Sequence, residues 1–106
     1  MRSEYCIVLT TISKKEEAKK LAKSILDKRL ASCVQLEKID SLYIWKEKVF
    51  DEEEYLLRIK TKSSLYKELE KYIKINHSYD LPQIIKLSID EGYEAYLKWI
   101  DSVTKD

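Results

Sequence analysis

The hydrophobic pattern switches along the chain between a period of two and a period near 3.6, and each switch marks an element. Tyr5–Ile12 is a nearly unbroken, β-branched apolar run, which predicts a central strand. Ser13 and Glu16 then have the spacing of a capping box. Ala18, Leu21, Ala22, Ile25, Leu26 and Leu30 follow as one stripe on an otherwise charged helix ending near Arg29. Residues 31–39 read as a second strand, continued by Leu42-Tyr43-Ile44-Trp45 after a bulge near Asp40-Ser41. Lys46-Glu47-Lys48 is a turn, and Val49-Phe50 beyond it suggests a hairpin. Tyr55–Thr61 alternates as a strand, with Tyr55, Leu57 and Ile59 on one face and Leu56, Arg58 and Lys60 on the other.

Ser63 or Ser64 is placed to cap a second helix with a stripe of Leu65, Leu69, Tyr72 and Ile73. Asn76 to Pro82 is a loop, because Pro82 lacks an amide and disfavours helix at Leu81. Residues 83–89 form the fourth strand, with Ile85, Leu87 and Ile89 expected inward. Asp90-Glu91-Gly92 turns into a last helix bearing Tyr93, Tyr96, Leu97, Trp99 and Ile100. The order β-α-β-β-α-β plus a terminal helix is an α+β, ferredoxin-like sandwich filling residues 1–106 as one domain. Right-handed crossovers put both main helices on one face of the sheet. The other face is then short of cover, and the hairpin is rich in rings: Tyr43, Trp45, Phe50 and Tyr55. Uncovered aromatic surface of this kind marks an interface, so the chain is expected to close symmetrically with copies of itself through these four residues.

Charge narrows the partners. Twenty basic side chains nearly cancel nineteen acidic ones, which leaves no footprint for nucleic acid or an anionic membrane. The longest apolar run is too short to span a bilayer and lacks a leader's cleavage site, so a cytoplasmic chain is expected. Cys6 and Cys33 form no CxxC pair and are expected as two free thiols. No P-loop, GxGxxG, HExxH or GxSxG motif occurs, and His77 is the single histidine. A catalytic site within one chain would depend on that residue alone, so no enzyme is expected. The run Asp51-Glu52-Glu53-Glu54 reads as a solvated loop rather than a metal cluster, since neighbouring carboxylates alternate in direction.

Five blocks resemble one family. Arg29-Leu30-Ala31-Ser32-Cys33-Val34, Ser41-Leu42-Tyr43-Ile44-Trp45, Ile59-Lys60-Thr61, His77-Ser78-Tyr79 with Leu81-Pro82, and Tyr96-Leu97-Lys98-Trp99-Ile100 are similar, in order and spacing, to the CutA divalent-cation tolerance family. The resemblance implies a ferredoxin-like subunit in a tight, heat-resistant homotrimer akin to the PII signalling proteins. It also implies a role in tolerance of copper and other divalent cations, and no established catalysis. Departures bear on metal. Ser78 stands for the usual proline, Gln83 for a glutamate, Thr10 for a cysteine of some bacterial members, and Glu47 for a hairpin glycine. His77 and Cys33 are then the remaining candidate metal ligands, with no cofactor required and copper or another divalent cation as the candidate ion. The expected functional surface is a cleft between subunits lined by Lys60, His77, Tyr79, Gln83 and Trp99, a set that suits a small anion. The competing reading is a trimeric scaffold with no specific ligand.

Overall fold

The strand β1 (Tyr5–Ile12) occupies the inside of the sheet, as its apolar run demands, with β3 on one side and β4 on the other. The computed structural model describes residues 3–106. After β1 the chain runs α1 (Lys15–Asp27), β2 (Cys33–Trp45), β3 (Lys48–Lys62), a short 3-10 turn (Ser63–Leu65), α2 (Tyr66–Asn76), β4 (Ile85–Ile89) and α3 (Glu94–Val103). The sheet order is β2-β3-β1-β4, every neighbour antiparallel, which is the ferredoxin-like arrangement with α3 added.

On one face Cys6, Val8, Leu57 and Ile59 meet Ala18, Leu21, Ile25, Leu69 and Ile73 of α1 and α2 in a closed core. Truncating Leu57 or Ile59, both fully buried, to alanine removes contacts on every side, a class of change that costs about 2–5 kcal/mol. The opposite face carries Tyr5, Ile7 and Leu9 with Leu56, Arg58 and Lys60. The terminal helix α3 covers only one end of that face. Its Ile100 is fully buried, the Tyr5 hydroxyl donates to Asp101 at 2.6 Å, and Lys60 Nζ sits 5.5 Å from the centre of the Tyr96 ring.

Several local expectations change. The helix α1 is not started by a capping box: its N-cap is Lys14, with no side-chain cap bond. Its other end closes as a Schellman motif, with Leu30 N–H donating to Ile25 O (3.1 Å) and Arg29 N–H to Leu26 O (2.9 Å). Arg29 takes the left-handed conformation there (φ 58°), although glycine is usual. No serine side chain caps α2; the 3-10 turn leads the chain into it instead. The register of β2 against β3 runs unbroken through Asp40↔Glu53 and Ser41↔Glu52, so the expected bulge is absent. The acidic run 51–54 is part of β3 rather than a loop. The strand β4 begins at Ile85, and Ile85, Leu87 and Ile89 share the helix-free face with Leu9, Ile7 and Tyr5 instead of entering the main core.

The tight hairpin turn forms although Glu47 stands in place of a glycine. Trp45 and Lys48 close a two-residue hairpin in which Lys46 (φ 49°) and Glu47 (φ 67°) both have positive φ, the signature of a type I′ turn. A side chain at such a φ costs about 1–2 kcal/mol relative to a right-handed conformation. Glu47→Gly should therefore raise stability by about 1 kcal/mol after the entropy that glycine adds to the unfolded chain, read as an upward shift in the denaturation midpoint. A lower midpoint would mean that Glu47 makes a contact worth more than the backbone strain. The sheet order also fixes the thiols: Cys6 and Cys33 lie on strands separated by β3, and both are free. Thiol titration of the denatured chain should find two per molecule, whereas an intrachain bridge would contradict the order β2-β3-β1.

Candidate functional site

The expected site residues fall into two separate groups, one on the helix-free face beside α3 and one at the end of β1. At the end covered by α3, Lys60 lies against Tyr96, and Tyr96 leans on Trp99 with ring centres 5.5 Å apart. Cys33 pairs with Lys60 across β2 and β3 and is half-buried. Arg58 is held by Glu37 on the same face, and Lys62, two positions beyond Lys60, is the next side chain on that face. Trp99 remains 41% exposed, so this aromatic and cationic group is open on one side.

The second group is built where α2 ends. The residue after α2 is His77, whose extended backbone (φ −92°, ψ 144°) throws the chain back across the end of β1. The Nε2 of His77 is 2.8 Å from the Thr11 carbonyl, and Nδ1 receives the Tyr79 amide at 3.0 Å. A carbonyl can only accept, so Nε2 carries the proton and Nδ1 is the acceptor. The imidazole is thereby fixed as one neutral tautomer with both nitrogens in use. Its ring also packs on Tyr79, with centres 4.7 Å apart. The Tyr79 hydroxyl donates to Glu54 Oε2 at 2.7 Å, and Glu54 is 6% exposed. Burial first, and then the bond to Glu54, push the Tyr79 phenol well above its ordinary range. Glu54 gave no sequence signal beyond membership of an acidic run; only the strand pairing shows that, alone of the four, it turns into a buried position.

Lys60 pairs with Ile7 and Leu56 pairs with Thr11, so the two groups lie about 14 Å apart along the strands. Lys60 and Trp99 are therefore not brought to His77 and Tyr79 within one chain. Gln83 is exposed in the loop before β4. Cys33 belongs to the Lys60 end, on the far edge strand, and cannot share an ion with His77 in the same subunit. Among the described residues no three His, Cys, Asp or Glu side chains are grouped to hold a metal. Within one chain the described residues do not fit a resident divalent cation, because both imidazole nitrogens are hydrogen-bonded and the thiol is elsewhere. Of the expected interface rings, Tyr43 (38% exposed) stacks on Phe50 at 5.6 Å and its hydroxyl donates to Glu52, while Trp45 is 39% exposed at the hairpin tip. Tyr55 instead packs against the helix-side core.

The buried carboxylate gives this site its stability signature. Tyr79→Phe leaves Glu54 without its donor and should cost about 1–3 kcal/mol in chemical denaturation. The Tyr79 pKa is raised in the folded state, so its contribution is fully present below the unfolded phenol value near 10 and is lost as pH rises through the folded value. Wild-type stability should fall above about pH 10 more steeply than that of Tyr79→Phe. Parallel alkaline profiles for the two proteins would remove Tyr79 from this role.

Comparison with known proteins agrees with this architecture. A family model described as CutA1 divalent ion tolerance protein matches residues 6–103. Protein CutA, chloroplastic, of Arabidopsis thaliana is 41% identical over 94% of this chain and 56% of its own length. The chain thus spans about half the length of the plant and mammalian relatives it matches. A crystal structure of a CutA1 point variant from Pyrococcus horikoshii OT3 superimposes with a TM-score of 0.94 at 38% identity, covering 95% of this chain and 99% of that one. The structure described as the periplasmic divalent cation tolerance protein CutA from Archaeoglobus fulgidus gives a TM-score of 0.93 at 33% identity, covering 95% and 99%. These relatives correct the expectation of a cytoplasmic chain, since one is named chloroplastic and another periplasmic. Balanced charge and short apolar runs describe a surface, not an address. Among the described residues no helix is long and apolar enough to cross a membrane. With 98 consecutive residues matched, from Cys6 to Val103, the chain belongs to the CutA1 divalent ion tolerance protein family.

Proposed function

We propose that the protein is a homotrimeric divalent-cation tolerance module without catalytic activity, whose ligand cleft is assembled between subunits. The observation that carries this reading is the division of the helix-free face into two groups that one chain cannot join. Between them lies an apolar band in which Ile85 (45%) and Leu87 (48%) remain exposed beside half-buried Ile7 and Leu9. One end of the face is basic, with Arg58, Lys60 and Lys62; the other is acidic, with Glu52 and Glu54. A head-to-tail ring buries the band and sets the basic end of one copy against the acidic end of the next. The Lys60–Trp99 end of one subunit then faces the His77–Tyr79 loop and Gln83 of its neighbour. The rings of Tyr43, Trp45 and Phe50 on the projecting hairpin extend the same contact surface.

Lys60, Gln83 and the Trp99 indole N–H are the cleft's available donors, because His77 is fully engaged, and a small anion is the ligand they suit. Copper or another divalent cation enters this reading as the solute tolerated, with no ligand set assigned. A single glycine, short loops and dense mixed charge favour heat resistance in the assembled state. The alternative, a trimeric scaffold without a specific ligand, is favoured by one observation: both nitrogens of His77 serve the fold.

Light scattering after gel filtration should give about three times the chain mass of 12.6 kDa. A monomer at micromolar concentration would overturn the assembly. With inorganic phosphate as the probe, Lys60→Ala should leave the trimer intact and weaken binding by roughly tenfold or more. If Lys60→Ala dissociates the trimer, the scaffold reading replaces the cleft. Calorimetry with Cu(II) should detect no site tighter than ~1 µM, and His77→Ala should not change that result. A tighter Cu(II) site lost in His77→Ala would restore the histidine as a ligand.

A further inference from the structure

A groove between α1 and α2 lies on the side of the sheet that the proposed trimer leaves open. It encloses about 450 Å³, within the ~300–1,000 Å³ typical of small-molecule sites. Ile12 and Leu21 form an apolar floor, and Ile75 stands at the wall with 71% of its surface exposed. The wall supplied by α1 carries Glu17 and Lys20, one helical turn apart. That spacing permits an ion pair, yet neither residue is in one among the described residues. The far end of the groove is the C-terminus of α2. Among the described residues no backbone amide from outside the helix reaches its last-turn carbonyls, and the bond made there, Asn76 Nδ2 to Tyr72 O at 2.9 Å, comes from a side chain. Those carbonyls keep the partial negative charge of a helix end.

A carboxylate, an ammonium and a negative helix end around an aliphatic floor match one kind of small molecule. We propose that this groove binds an aliphatic amino acid as its zwitterion. The alkyl chain lies over Ile12, Leu21 and Ile75, the ligand's ammonium sits between Glu17 and the α2 terminus, and its carboxylate pairs with Lys20. The groove borders the proposed cleft at His77 and Ser78, but the side chains assigned to the amino acid are not those assigned to the cleft, so separate variants distinguish the two.

The test is an amide-resolved NMR titration of the whole protein with L-leucine. Isoamylamine and 4-methylpentanoate, each lacking one of leucine's two charges, serve as comparison probes. Leucine should produce saturable shifts confined to amides around Leu21, Ser24 and Ile75, and both comparison probes should bind more weakly. Glu17→Gln and Lys20→Gln should each weaken leucine binding by roughly tenfold or more, since each removes one charged partner. Both side chains lie outside the core, so light scattering should report an unchanged assembly. Ile75→Ser, which keeps the charges and removes the apolar wall, should weaken binding as well. The proposal is overturned if leucine fails to saturate by ~10 mM. It is equally overturned if the Glu17→Gln/Lys20→Gln double variant binds leucine as the wild type does, or if the shifts map to the helix-free sheet face.

Discussion

A four-stranded sheet with both crossover helices on one side must find cover for its other side, and this requirement governs most of the molecule. Here β1 is apolar on both faces, so water cannot serve as that cover without leaving Ile7 and Leu9 exposed. The helix α3 meets part of the demand through Ile100 and the Tyr96 ring over Lys60. It is ten residues long and reaches only one end of the strands. The uncovered remainder falls between the two groups of polar and aromatic side chains. The proposed assembly and the proposed cleft both rest on this one geometric shortfall.

The loop after α2 shows how a residue that looks chemical can be structural. His77 is the single imidazole and sits in a loop, the setting in which function is usually sought. Its ring instead joins the end of β1 to the Tyr79 amide, which aims the phenol at Glu54. Removing the imidazole would release the loop before it altered any ligand. This arrangement also accounts for a carboxylate tolerated at 6% exposure: it has a donor, and that donor is held in place by a second bonded ring.

The strands, both helical stripes and the topology were legible because burial imposes a period that the sequence must display. Tyr5–Ile12 was read with its observed bounds for that reason. What stayed hidden depends on pairing between distant residues. A bulge looked reasonable at Asp40-Ser41 because two polar residues interrupt an apolar run, but a ribbon projecting beyond β1 tolerates polar pairs such as Asp40↔Glu53. The I′ turn was obscured because Lys46 and Glu47 are not the residues that turn prefers; fifteen residues of paired β3 hold it regardless. The alternation of Lys60 with Leu57 and Ile59 places it on the helix-free face, but its separation from His77 along the strands follows only from the β1–β3 register. Glu54 was invisible because four consecutive acids look alike until one is buried.

The corner after α1 carries a consequence for how the chain matures. The left-handed Arg29 is gripped by the far end of the chain: its carbonyl accepts the Lys105 amide at 2.9 Å, and its Nε donates to the Val103 carbonyl at 3.2 Å. Lys105 also reaches Glu68 on α2 at 2.9 Å. The two contacts to Arg29 bridge more than seventy positions of sequence. During synthesis from the N-terminus, the first helix and the strand it feeds must wait, with one corner unclamped, until the residues after α3 have emerged. The segment after α3 is thus a latch on the corner that ends α1, and loosening either one frees the other for local opening.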